Sequence, residues 1–347
     1  MSTENPGQGS LRRPLIGHAQ PVQAFASAVE SGRLHHAWLL HGPKGVGKAT
    51  FARRASAWML APQARAKGGS LAFDTHAEAF GLIESGAHPD AAWLDLDTGS
   101  DGKRRPTTIP VAQVRKVLAS LTNTPAAGGW RTMVLDSVDD LNREGANALL
   151  KPLEEPPRKT VLFLVAHSLS AVLPTIRSRC RHLAFSPLEI EDINKFAAGW
   201  TELSGEAVPQ LAMDLADGRP GLLVSLQANQ DALELFTRFT QLASGAANLS
   251  DRLALASRIN QTKGEGRTVL LSLIDDWLSR RVRGFGEPAG LYAPAGQLSH
   301  RARSDIATLW SNNSEALHIR QAINLDITER VMTLFAGIDQ VYSIPTA

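Results

Sequence analysis

The chain has 347 residues, with 36 Lys and Arg against 34 Asp and Glu, a net charge of +2, and 43% hydrophobic residues. At about 150 residues per domain this length predicts two to three domains, with cores large enough to need neither disulfides nor a structural metal. The balanced charge excludes a histone-like polycation, the absence of any long apolar run excludes a membrane span, and a single cysteine, Cys180, excludes an internal disulfide and any zinc site needing two thiolates, which points to the cytoplasm.

Residues 1–10 are polar with Pro6 and two glycines, and read as a flexible tail. Val22, Phe25, Ala26 and Val29 have helical spacing between 20 and 31. Trp38-Leu39-Leu40 is a buried strand entering a glycine-rich turn, followed by a helix over 47–60. Residues 61–90 read as irregular, 91–96 as a second strand, and 97–110 as a polar loop carrying Lys103-Arg104-Arg105. That basic run reads as a solvated loop rather than a DNA contact. Val111, Val114, Val117, Leu118 and Leu121 form a helical stripe. Strands follow at 132–135, ending in Asp136, then at 161–165 and 182–185, with a helix over 142–153 before Glu154-Glu155-Pro156-Pro157. Strands alternating with helices predict an α/β fold with a parallel sheet. Beyond Pro187 only helical periodicity remains. Leu270, Leu273, Ile274, Trp277 and Leu278 make one stripe, and Ile327, Val331, Leu334, Phe335 and Ile338 another. The Gly/Pro/Ala-rich stretch 284–296 reads as a loop between helices.

The strongest chemical signal is Gly42-Pro43-Lys44-Gly45-Val46-Gly47-Lys48-Ala49-Thr50. In a P-loop the glycines let the backbone wrap phosphates, the amides opening the helix donate to them, and the lysine reaches the β and γ groups. Ala49 stands where a hydroxyl should hold Mg²⁺, and Thr50 comes one residue late, turned by about 100° on a helix. Asp136 ends the third strand, where a metal-binding carboxylate belongs, and Ser137 follows it where a water-activating glutamate is expected. The bland reading of Asp136, an ordinary strand-end aspartate, stands beside the metal one. Residues 42–50 read as a degenerate nucleotide site, with Mg²⁺ held only together with nucleotide.

Three segments carry a family resemblance: Leu15-Ile16-Gly17-His18 with Gly32-Arg33-Leu34-His35-His36-Ala37 and the P-loop, Asn147 to Pro157, and Leu173-Pro174-Thr175-Ile176-Arg177-Ser178-Arg179-Cys180-Arg181. Together they resemble bacterial clamp-loader subunits of the AAA+ class. His88-Pro89-Asp90 before a strand, and Asn324-Leu325-Asp326 before the last apolar helix, are similar to the delta-prime branch of DNA polymerase III. The resemblance implies an AAA+ domain over 11–187, a helical lid over 188–230 and a helical collar over 231–347 that joins a five-subunit ring. It implies as partners the other loader subunits, the sliding clamp and primed DNA, with no membrane. It implies that Arg179 is an arginine finger for the ATP site of the adjacent subunit, where a planar, always-charged guanidinium suits a γ-phosphate in transfer. The bland reading of Arg179 is a solvated arginine between Arg177 and Arg181. Cys180 reads as a packing residue.

Several positions depart from active relatives. Many carry four zinc-binding cysteines after the P-loop, whereas 61–90 has none, and His76 with His88 cannot replace them, so no zinc is expected. Ala166 and His167, with Ser168 beside them, lie where a γ-phosphate-sensing threonine is expected. Gly221 lies where active relatives place a lid arginine. These defects fit a non-motor subunit. The alternatives are an ATP-hydrolysing motor subunit of the same loader, which Lys48 and Asp136 favour, and a P-loop remodeller outside replication, which 154–157 and 178–180 oppose. No paired-carboxylate polymerase site is recognisable, so a polymerase label would describe the holoenzyme.

Overall fold

The structure is a computed structural model, and it describes residues 15–65, 71–72, 78–96, 108–121, 125–126, 129–244, 248–283, 302–309, 311 and 326–342. The tail at 1–10, His76, the basic run at 103–105, the stretch 284–296 and Asn324-Leu325 lie outside them. The chain forms two compact units, one of Met1–Ser204 with Gly218–Gly221, the other of Gly205–Asp217 with Leu222–Ala347.

The first unit is built on five parallel strands: β1 (Ala37–His41), β2 (Ala91–Asp95), β3 (Arg131–Asp136), β4 (Thr160–Ala166) and β5 (Arg181–Ala184), in the order β2-β3-β4-β1-β5. Strands alternate their side chains between two faces. Trp38 and Leu40 point to a core shared with Phe25, Phe51, Phe163 and Phe185. Leu39 points to the opposite core with Leu94, Leu135, Leu164 and Ile176. A parallel sheet buried on both faces needs near-continuous apolar strands, and this is why short runs such as 161–165 were readable as strands. The expected α/β fold is present; β1, β3 and β4 extend the sequence reading at both ends, β2 stops one residue short of it, and β5 is shifted back by one.

The helices of this unit are α1 (Ala19–Glu30), α2 (Lys48–Leu60), α3 (Glu78–Glu84), α4 (Val111–Ser120), α5 (Arg143–Ala148), α6 (Leu150–Glu154), α7 (Pro174–Arg177) and α8 (Ile190–Ser204). Three differ from the sequence reading, the shortest being α7, a single turn between β4 and β5 that periodicity cannot report. The helix expected over 142–153 is divided into α5 and α6 at Leu149. Pro152 has no N–H to give the carbonyl of Ala148, and its ring crowds that carbonyl, so a continuous helix cannot pass. The stretch 61–90 holds α3, hidden from periodicity by Gly81 in its middle, with Phe80 buried against Ala57. Beyond α2 the chain is pinned without thiolates. The Arg65 guanidinium lies 4.0 Å over the Trp58 ring and its Nε donates to the Trp58 carbonyl at 2.7 Å.

The second unit is helical among its described residues: α9 (Gln210–Ala216), α10 (Pro220–Ala228) beyond its first turn, α11 (Gln230–Ser244), α12 (Leu249–Gln261), α13 (Gly264–Arg283), α14 (302–309) and α15 (Thr328–Tyr342). Both apolar stripes of the sequence are buried inside this unit, with Leu270, Leu273, Ile274, Val331, Leu334 and Phe335 at 2% exposure or less. Phe239 of α11 joins them, its ring 5.7 Å from Trp277 and 4.9 Å from Phe335. These stripes therefore hold the unit together rather than offer a surface to a neighbour.

Candidate functional site

The P-loop links β1 to α2 at the carboxyl edge of the sheet, where ligands bind in open α/β folds. Its glycines are there for geometry. Gly42 has φ +145°, and a Cβ on it would stand 2.0 Å from the Phe185 carbonyl oxygen. Gly47 caps α2 at φ +112°, which an L side chain rarely adopts. The loop is propped from outside by His18, whose Nε2 donates to the Val46 carbonyl at 2.7 Å and whose ring stands edge-on to Phe185. Burial keeps His18 neutral by lowering its pKa. Sequence reasoning gave His18 no role, because a contact from α1 to this loop leaves no local pattern.

Lys48 is buried, and its Nζ donates to the carbonyls of Gly42 and Pro43, each at 2.6 Å. Burial pushes its pKa down to about 8, a shift that Asp136 and Asp139 partly oppose. Asp136 moves the other way: burial, reinforced by Asp95, raises its carboxyl to about 6 against the pull of Lys48. Ser137 is buried and its Oγ donates to Asp140 at 2.9 Å, so the position where a base is expected carries a committed hydroxyl.

The segment after β4 is fixed by Asp139, whose carboxylate accepts from the amides of His167 at 2.6 Å and Ser168 at 3.3 Å. Ala166 is fully buried in the sheet core, leaving His167 as the residue of this segment whose side chain senses the loop's charge. Burial first, then Lys48, pushes its pKa down to about 4. Ser168, the other candidate for the expected threonine hydroxyl, has its Oγ 2.7 Å from that of Ser170. Gly221 completes the enclosure. Its amide donates to the Gly45 carbonyl at 2.8 Å, and a Cβ on it would meet the Gly45 Cα at 2.9 Å. The atoms met are backbone and yield only at a cost, so a side chain is strained at 221, the position where a lid arginine is expected.

Taken together, Ala49 in place of a hydroxyl, Ser137 committed to Asp140 and the contact that leaves Gly221 no room for a side chain do not fit a catalytic Mg²⁺–nucleotide complex. Among the described residues no group of three or more His, Cys, Asp or Glu is arranged to hold a metal ion.

Arg179 belongs to a separate surface, in the turn between α7 and β5. Its Nη1 donates to the Thr175 carbonyl at 2.9 Å, and its Nη2 lies 2.8 Å from Glu154 Oε1. The flanking arginines are held otherwise: Arg177 donates to the Leu169 carbonyl at 3.4 Å, and the Arg181 guanidinium lies 4.9 Å over the Trp38 ring. Arg179 is thus distinguishable from its neighbours by its partners. Cys180 packs against the sheet core, and burial pushes its thiol up to about 12, so it is no nucleophile at neutral pH.

Residues 17–189 match the family model of the DNA polymerase III, delta subunit. The DNA polymerase III subunit gamma of Buchnera aphidicola subsp. Schizaphis graminum is 30% identical over 244 residues, 69% of this chain and 61% of that protein. The subunit delta' of Pseudomonas aeruginosa is 32% identical over 243 residues, 70% of this chain and 69% of that protein. The subunit delta' of Yersinia pestis is 31% identical over 259 residues, 73% and 72%. Among the described residues, no helix is long and apolar enough to cross a membrane.

Proposed function

This chain belongs to the family of DNA polymerase III delta-prime subunits, and from that premise we propose that it is the non-motor AAA+ subunit of a replicative sliding-clamp loader. It joins the other loader subunits in a ring, helps place the sliding clamp on primed DNA, and lends Arg179 to the ATP of the adjacent subunit. The lid at 188–230 and the collar at 231–347 are part of this reading. The observation that carries it is the contact of Gly221 on Gly45, which leaves no room for a lid side chain beside a P-loop whose Mg²⁺ position is Ala49. A subunit whose own site lacks the Mg²⁺-holding hydroxyl at Ala49 and a lid side chain at Gly221 contributes to ATP hydrolysis chiefly through groups it offers outward. Arg179 is such a group, being a fork of fixed charge on the subunit surface.

The test is reconstitution. Steady-state ATP turnover is measured for the purified protein alone and then in a loader assembled with gamma-type and delta-type subunits, with clamp and primed DNA. The expected result is background turnover alone and stimulated turnover only in the complex. A second reading, an ATP-hydrolysing motor subunit, is favoured by the gamma match and by the retained Lys48 and Asp136. Turnover by the isolated protein that Lys48→Ala abolishes would establish it instead.

A further inference from the structure

We propose that Glu154 is the positioning residue for Arg179, an assignment that rests on the finger reading above. Glu154 is the last residue of α6 and opens the Glu-Glu-Pro-Pro run, to which the function so far gives no task. Its Oε1 meets Arg179 Nη2 at 2.8 Å, while Nη1 is held by the Thr175 carbonyl at 2.9 Å. Two nitrogens of one planar group are therefore tied to two different elements. A guanidinium on a long flexible stem loses most of its rotamer freedom when its plane is fixed in this way.

Both mounts are rigid. Leu153, the neighbour of Glu154, is buried, and its carbonyl is bonded to His36 Nε2 at 3.0 Å. Ile176, the neighbour of Thr175, is fully buried. The Arg179 side chain is 35% exposed and that of Glu154 is 52% exposed. An ion pair this exposed adds little to stability, so its consequence is orientation. Among the described residues, the side-chain hydrogen bonds of Arg179 come from Nη1, and Nη2 is engaged by the ion pair with Glu154, so Nε–H and part of Nη2 face outward without a hydrogen-bond acceptor in this subunit. They remain free to reach an anion from outside. Orientation that exists before the phosphate arrives need not be created during the reaction, which is where preorganised charge gains its effect.

The experiment uses the reconstituted loader with clamp and primed DNA, carrying Arg179→Ala, Glu154→Ala, Glu154→Gln or the double alanine substitution. Each variant is first checked for co-elution with the ring. Stimulated ATP turnover is then read as kcat and KM. Arg179→Ala is expected to remove one share of the turnover, and Glu154→Ala to remove most of that same share through kcat with KM unchanged. Glu154→Gln keeps an acceptor oxygen and should recover part of it. The double substitution should fall no lower than Arg179→Ala, because two residues acting through one group are not additive.

If Arg179→Ala loses its share while Glu154→Ala runs at the wild-type rate, the positioning role is wrong and the finger stands. A faster Glu154→Ala would make Glu154 a restraint that the phosphate must displace, which also overturns the proposal. Loss of ring assembly in Glu154→Ala would make its role structural. A harmless Arg179→Ala removes the finger reading itself, and with it the inference.

Discussion

Gly221 gives its amide hydrogen to the carbonyl of Gly45 across 2.8 Å, a backbone-to-backbone bond between the 218–221 segment and the P-loop. The absence of a side chain is what allows the approach, since the nearest atoms to a Cβ there are the Cα and O of Gly45, at 2.9 and 3.1 Å. The absence of a side chain at 221 and the close approach to Gly45 are thus one feature.

Restoring that arginine is therefore expected to fail. Gly221→Arg should destabilise the protein by about 1–3 kcal/mol, the usual cost of overpacking, seen as a lower Tm in thermal unfolding. Its ATP turnover should stay at background. A Gly221→Arg protein with unchanged Tm and new Lys48-dependent turnover would show that the contact opens freely.

Asp136 gives a pH dependence of stability. Its pKa rises from 3.8 unfolded to about 6 folded, so between those values the folded state binds more protons. Stability from this group is present at low pH and is lost as pH rises through 6. Asp95, Asp140, Lys48 and Lys44 all face it. Asp136→Asn should remove the dependence, gaining on the order of 1–2 kcal/mol at pH 7 relative to pH 4. The gain is held below the full shift because Lys48 loses an opposite charge. Urea denaturation of both proteins across about pH 4–8 checks this, a range that brackets the folded and unfolded values, and parallel stability curves would refute it.

The arginines of the 177–181 segment should separate cleanly. Arg179→Ala should leave folding and ring assembly intact and lower clamp- and DNA-stimulated turnover of the complex. A finger in trans is worth roughly 10³–10⁵ in rate at its own site, so the loss seen is the whole share of that site. Arg179→Lys should be nearly as poor, because a point charge cannot reproduce the fork. Arg177→Ala and Arg181→Ala remove a bond to Leu169 and a contact with Trp38, and should shift Tm more than turnover. Equal behaviour of all three alanine variants would reduce the segment to a basic surface.

In the second unit Arg252 is buried and makes a two-pronged ion pair with Asp339, one prong being Nη2 to Oδ1 at 2.9 Å, while Nη2 also donates to the Leu242 carbonyl at 3.1 Å. Asp339→Ala should cost about 1–3 kcal/mol, less than for a fully buried pair because the Asp339 side chain is 48% exposed. Asp339→Asn should lie between. Chemical denaturation reads the order directly, and an Asp339→Ala protein as stable as wild type would make the pair incidental.

The sequence alone determined what is written in short runs. Each strand of the sheet is buried on both faces, so its apolar run stands out, and the glycines of the P-loop, Ala49 and Ser137 are legible because their roles depend on positions a few residues apart. Even the division at Leu149 follows from Pro152, once the missing N–H is considered. Only the tertiary structure decided what meets across the chain: His18 under Val46, Gly221 on Gly45, Glu154 beside Arg179, and both apolar stripes turned inward around Phe239. A helical stripe has the same period whether its partner lies in the same subunit or in another, and an exposed glutamate carries no mark of the arginine it will face. Periodicity reports that a face is buried. What buries it is fixed only when the backbone brings distant segments within a few ångströms, where sterics and hydrogen bonds select one partner.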